Sequence, residues 1–375
     1  MKKNAYLGSV LAVVFFATAG IAFGQGNGVS EGKRLFDSET FGGNGRTCQT
    51  CHSKTTGTIS PQDVQQLLKT HPNDPLFLAD GSDDGIGHGT TRITTDATIL
   101  INVPLASNVT LAANPAATHV TVRRGIPTTL NTPSVDPVLM LDGREPNLQT
   151  QALHAIQDHA HATLMPTAQD LEEIKAFELT NQFFSSPDVM KFAAGGLPPG
   201  LPQGNTDSEK RGRRFFEDVV DFVDFKHGLC AGCHAGPMLN QTNLFAQIAF
   251  GVPVGTRFQD ILISELNVAG NPVQEFVLNK GLATEAHVFS PDIGRSAITG
   301  VAPIDDVTFS NVNAFKIPQL RGISDTGPYF HDNSAKTLDD VMKHYTNFFA
   351  IATGGALILT PQDQADVVAF MKLLR

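Results

Sequence analysis

The chain has 375 residues, 41% of them hydrophobic, which is enough to bury one or two cores of ordinary size. Asp and Glu outnumber Lys and Arg by 37 to 27, and the net charge of −10 argues against nucleic acid or an anionic membrane as partner. A neutral molecule or a basic protein surface fits that charge better.

At the start of the chain, Lys2 and Lys3 precede an apolar run from Leu7 to Phe23, and Ala22 and Gly24 stand three and one positions before Gln25. This pattern predicts a secretory signal peptide over 1–24, cleaved on export to the periplasm, with an uncleaved anchor as the alternative. Without the two lysines the charge becomes −12. No later segment is apolar enough to span a bilayer, so stable membrane insertion is not expected.

All four cysteines lie in two matching strings, Cys48-Gln-Thr-Cys51-His52 and Cys230-Ala-Gly-Cys233-His234. Two thiols at this spacing reach the two vinyl groups of one porphyrin, and the next histidine swings under the iron as axial ligand. A zinc site, a redox dithiol or a disulfide also uses Cys-x-x-Cys, but none gives a reason for a trailing histidine in both copies. The strings therefore predict two covalently bound haem c groups, with His52 and His234 on the iron.

Gly195-Gly-Leu-Pro-Pro-Gly-Leu-Pro-Gln-Gly204 is too rich in Gly and Pro for a helix or central strand and reads as a linker over 195–205. It separates an N-terminal unit, 25–194, from a C-terminal unit, 206–375, each with one string. The two units repeat: Glu31-Gly-Lys-Arg-Leu-Phe36 and Lys210-Arg-Gly-Arg-Arg-Phe-Phe216 each stand ahead of a string, and Ile126-Pro127 answers Ile317-Pro318. Asp142-Gly-Arg-Glu-Pro-Asn-Leu148 then answers Asp332-Asn-Ser-Ala-Lys-Thr-Leu338 at an offset of 190. Each unit closes on a Thr-capped helix, beginning at Thr167 and Thr360. The fold class expected is mainly α, two tandem cytochrome c-like domains. A β-containing insertion over about 53–124 is placed in the first, because Thr98–Val103 and Val120–Val122 are β-branched runs.

The segment Phe315–Leu338, with Asp142-Gly-Arg144, Gln151 and both strings, resembles the bacterial dihaem cytochrome c peroxidase and MauG family over most of residues 30–375. The resemblance implies that hydrogen peroxide binds the first haem while the second transfers electrons. It places a sixth iron ligand at Tyr345, where true peroxidases have Met and MauG-like proteins Tyr; Met342 and His344 are the neighbouring alternatives. Subtracting the repeat offset from 345 lands on Ala155, whose methyl group cannot bind iron, so the first haem is expected to be open. A six-coordinate haem mainly transfers electrons, whereas an open one can react with peroxide.

Peroxide cleavage needs a group that moves a proton between its two oxygens. Ten residues beyond Gln151, the position of the family's Glu is His161, inside a histidine-rich stretch that also holds His154 and His159. Any of these could instead ligate and close the first haem. His88 in Ile86-Gly-His88-Gly resembles the family's loop histidine, and His119 competes for that role. Two departures from the family stand out: Leu141 occupies the place of the inter-haem Trp, and the Asn that helps hold an interdomain calcium is replaced near Gly125, although Thr326 and Pro328 match its backbone ligands. The resemblance thus allows calcium without requiring it, and allows a homodimer.

The function expected is a periplasmic dihaem c-type peroxidase-like oxidoreductase, using His161 and Gln151 on the distal side and a small electron-donor protein or oxidisable substrate. The alternatives are a MauG-like peroxide-dependent oxidase of a protein or small molecule, and a non-enzymatic dihaem electron carrier.

Overall fold

The computed structural model describes residues 25–268, 271–301 and 312–374, with side chains from residue 28 onward. The expected leader over 1–24 lies outside the described residues. No described helix is long and apolar enough to cross a membrane.

In chain order the first elements are α1 (Gln25–Ser38), α2 (Cys48–Cys51), α3 (Pro61–Thr70), α4 (Thr91–Asp96), β1 (Thr98–Pro104), β2 (Val109–Leu111), β3 (His119–Gly125), α5 (Leu148–Asp158), α6 (Ala168–Thr180) and α7 (Pro187–Ala193). After Gly195–Gly204, which forms no helix or strand, come α8 (Asp207–Arg214), α9 (Leu244–Phe250), β4 (Phe258–Gln259), α10 (Ile263–Leu266), β5 (Gln274–Leu278), β6 (Ala286–Ser290), α11 (Arg295–Thr299), β7 (Phe315–Lys316), α12 (Leu338–Ala352) and α13 (Pro361–Met371). The protein is mainly helical with small sheets.

The internal repeat has a packing cause. Gly32 of α1 crosses α6 so closely that a Cβ there would stand 1.9 Å from the Glu173 carbonyl oxygen, and Gly212 of α8 crosses α13 at the same 1.9 Å from the Asp366 carbonyl oxygen. A side chain at either glycine would force the helices apart. Four residues on from each, Phe36 rests on Phe177 at 5.6 Å and Phe216 on Phe370 at 5.2 Å. The Thr caps act as read from the sequence: Thr167 accepts from Asp170 N–H and Thr360 from Asp363 N–H, while each Asp reaches back to its cap.

The segment before α5 and its counterpart before α12 share one backbone. Leu139 bridges Glu145 as Tyr329 bridges Ala335, and Met140 (φ +66°) and Phe330 (φ +71°) occupy the same left-handed position in each turn. The 190-residue offset is thus a structural register, and it sets α5 and α12 on equivalent faces of their surroundings.

The β-branched runs form strands β1 and β3, antiparallel from Thr98↔Gly125 to Pro104↔His119. The insertion is not confined to the first unit, however. β2 pairs with β5 of the second half, which pairs in turn with β6, and one apolar cluster joins Val64, Ile93 and Val103 to Phe276, Leu278 and Ile293. The insertion's three strands cannot cover both faces of their own core, so a strand and helix from beyond the linker complete it.

Arg124, at the end of β3 and 2% exposed, pins these parts together. Its guanidinium donates to Asp292 in the second half at 2.7 and 3.0 Å and to Asp142 in the first at 2.5 Å, and Asp142 also accepts from Arg144 at 2.7 Å.

Candidate functional site

Both Cys-x-x-Cys-His strings open on one largely apolar cavity of about 830 Å³. α2 carries Cys48 and Cys51, and a short 3-10 turn, Cys230–Gly232, begins the second string. The two histidines are oriented alike: His52 Nδ1 donates to the Gly57 carbonyl and His234 Nδ1 to the Leu239 carbonyl, each at 2.8 Å. With the proton fixed on Nδ1, Nε2 keeps its lone pair. Burial holds both imidazoles neutral, pushing His234 down to about 4 and His52 below its usual range against the hydrogen bonds to the Leu239 and Gly57 carbonyls.

All four thiols are free, and burial raises Cys48 and Cys230 to about 12 and Cys51 and Cys233 to about 11. Burial thus keeps all four protonated at neutral pH. Among the described residues no three His, Cys, Asp or Glu side chains converge as a metal-binding group. A donor set of one imidazole nitrogen per string, with two thiols beside it and apolar walls, fits a macrocycle that brings its own equatorial nitrogens: haem.

The equivalent helices α5 and α12 both contribute to the cavity wall. Ala155 and Tyr345, related by the offset, both line the cavity, as do Ala152 and Met342. Tyr345 is beside the second string, its hydroxyl pushed up first by burial and then by the Cys233 and Cys230 thiols. His344 turns away, its Nε2 bonded to the Ile261 carbonyl at 2.8 Å, and does not line the cavity. Gln151 does line it, on the first-string side with Ala152 and Ile156.

Three expected histidines are not brought to the cavity. His161, the expected acid/base, lies beyond the end of α5 at φ +49° with an exposed side chain, because the chain reverses there and carries it out to solvent. His88 is 80% exposed on its loop, its Nδ1 held by Asp84 at 2.6 Å. His119 is exposed at the start of β3, beside Thr118. His159, one turn after Ala155, lines the cavity in their stead. At the calcium position, a Cβ on Gly125 would meet the Asn333 side chain at 2.1 Å; that amide instead binds the Asp96 and Ala97 carbonyls.

Leu141, where the family has Trp, also lines the cavity, and its carbonyl accepts from Lys316 N–H at 2.7 Å. Next to Lys316, the Phe315 ring stacks on buried His331 at 3.7 Å and 9°.

Sequence reading passed over Glu178. It lines the cavity near Cys48, is 5% exposed, and its Oε2 is buried without a hydrogen-bond partner. The available signal was its position four residues after Ile174 on the apolar stripe of α6. Burial raises Glu178 from 4.5 to about 8. The folded protein thus holds this proton more tightly than the unfolded chain, so the stability it contributes is complete below about pH 4.5 and is lost as pH rises towards 8. Glu178→Gln is expected to stabilise the protein by about 1–3 kcal/mol at pH 8 and by almost nothing near pH 5. Thermal unfolding at the two pH values measures this, and an equal effect at both would contradict it.

No family model matches the chain. Hydrazine synthase subunit gamma of Kuenenia stuttgartiensis is 26% identical over 201 residues, 54% of this chain and 46% of that protein. The cytochrome c551 peroxidase of Nitrosomonas europaea is 32% identical over 111 residues, 28% of this chain and 27% of that one. Over these stretches the chain is similar to cytochrome c peroxidases and to a hydrazine synthase subunit. Its matches span less than half the length of these relatives. A solved MauG-like protein associated with microbial copper homeostasis shares the fold across 93% of this chain and 88% of its own, with a TM-score of 0.50 and 18% identity.

Proposed function

We propose that the protein is a periplasmic dihaem peroxidase-like oxidoreductase, exported by cleavage of residues 1–24, with one covalent haem c on each string. The carrying observation is the asymmetry of two equivalent helix positions: a methyl group at Ala155 and a phenol at Tyr345, both on the cavity wall. Haem would supply the redox chemistry, reducing hydrogen peroxide at the first string with electrons passed from the second. The chain's own residues set the difference between the two sites. His52 and His234, anchored through Nδ1, would each offer Nε2 to a haem iron. Tyr345 would offer its phenol to the second haem, whereas the methyl group of Ala155 would leave room for a small molecule at the first and Gln151 would offer that molecule an amide.

Phenolate oxygen is a hard anionic donor that favours Fe(III), where a thioether raises the potential. Tyr345 therefore favours, as a second reading, the MauG-like use of peroxide to oxidise a protein or small molecule. The absorption spectrum of the diferric protein, taken before and after one equivalent of hydrogen peroxide, tests the proposal. The expected result is a high-spin ferric band that peroxide abolishes, and that persists in Tyr345→Phe. Two low-spin haems that ignore peroxide, before and after prior reduction, would instead indicate an electron carrier.

A further inference from the structure

The repeat that separates Ala155 from Tyr345 separates a second pair one helical turn on. Phe349 of α12 packs its ring on Tyr345 at 6.0 Å, and the residue 190 positions earlier is His159. Both line the cavity. Where the second string faces a tyrosine backed by a phenyl ring, the first therefore faces a methyl group and an imidazole.

That imidazole is built in. His159 N–H closes the end of α5 on the Ala155 carbonyl at 3.0 Å, and its own carbonyl accepts from Asn44 Nδ2 at 2.9 Å. Its Nδ1 lies 2.6 Å from Asp80 Oδ2. Asp80 Oδ1 is in turn gripped by Arg46, a cavity-lining residue only 2% exposed, whose Nε and Nη2 also bind the Pro75 and Leu76 carbonyls at 2.9 and 3.0 Å. Asp80 and both its partners come from separate segments, so the arrangement needs the tertiary fold. With Asp80 accepting from Nδ1, the free Nε2 of neutral His159 is a proton acceptor, and an aspartate behind an imidazole stabilises the cation formed when it takes a proton.

We propose that His159 is the proton-transfer group of the first haem site, with Asp80 as its positioning residue. The inference rests on the peroxidase reading above. In the overall change, hydrogen peroxide gains two electrons, delivered by way of the haems from an external one-electron donor, and two protons, and leaves as two waters. His159 Nε2 takes the proton from one peroxide oxygen and delivers it to the other, so that the O–O bond breaks with water rather than hydroxide departing.

Cyanide binding to the ferric holoprotein tests this without turnover, because hydrogen cyanide must give up a proton as it binds. His159→Ala is expected to slow cyanide association by about 10²-fold or more, with added imidazole restoring much of the rate. Asp80→Asn should slow it to a smaller extent with unchanged haem content. His154→Ala, on the same helix but outside the cavity, should leave it as in the parent. Unchanged association in His159→Ala would overturn the assignment while leaving the peroxidase reading in place. A low-spin parent that becomes high-spin in His159→Ala would also overturn it, since His159 would then be an iron ligand. A parent that binds no cyanide, before or after prior reduction, would overturn both.

Discussion

Replacing Arg124 with leucine is expected to lower the free energy of unfolding by about 3–5 kcal/mol, the range for breaking a buried ion pair by removing one partner. Arg124 joins β3 to both Asp142 and Asp292, which are 0% and 3% exposed. Leucine would keep the aliphatic packing but leave two carboxylates buried. Arg144 still reaches Asp142 at 2.7 Å, so the larger penalty falls on Asp292. The combined variant Arg124→Leu/Asp292→Asn should therefore recover part of the loss, as coupled sites do. Urea unfolding of the three proteins measures it; additive losses would show that Arg124 acts through packing alone.

The second large effect concerns covalent attachment. Replacing Cys230 and Cys233 together with alanine is expected to leave the denatured protein carrying one haem instead of two, and replacing Cys48 and Cys51 should do the same. Each thiol sits beside its histidine at the cavity wall and is protonated, the state from which a thiol adds across a vinyl group. Mass measurement under denaturing conditions gives the haem count directly. Two haems retained in either variant would mean that the strings are not the attachment points. The variants should also differ in spectrum, because the surviving haem would be the Tyr345 one in the first-string variant and the open one in the second-string variant.

Several features were legible because they depend on chemistry within a few neighbouring residues. The strings are local, as are the Thr caps of α6 and α13, where a Thr and an Asp three residues on are sufficient to start a helix. The repeat was legible too, since the turn conformations at Met140 and Phe330 demand similar local sequence. From the strings and the offset came the Ala155/Tyr345 contrast, which both positions now carry into one cavity.

His161 illustrates the limit. Counting from Gln151 assumes a helix that continues, but α5 ends at Asp158 and His161, at a left-handed φ, is exposed. The insertion shows a different limit: the two runs read as strands pair with each other as β1 and β3, yet the short β2 between them has its partner in β5, more than 160 residues away. Pairing across that distance leaves no local trace.

By itself the sequence determined the two Cys-x-x-Cys-His strings, the twofold repeat and the unequal residues, Ala155 and Tyr345, at two equivalent positions, because each is a matter of residue type at a short, regular spacing. Only the tertiary structure decided which histidine reaches the first site, that Asp80 and Arg46 stand behind it, that Glu178 is buried without a partner, and that the inserted strands bind the two halves together. Those outcomes depend on which surfaces meet after distant segments pack, and burial and hydrogen bonding are properties of that meeting.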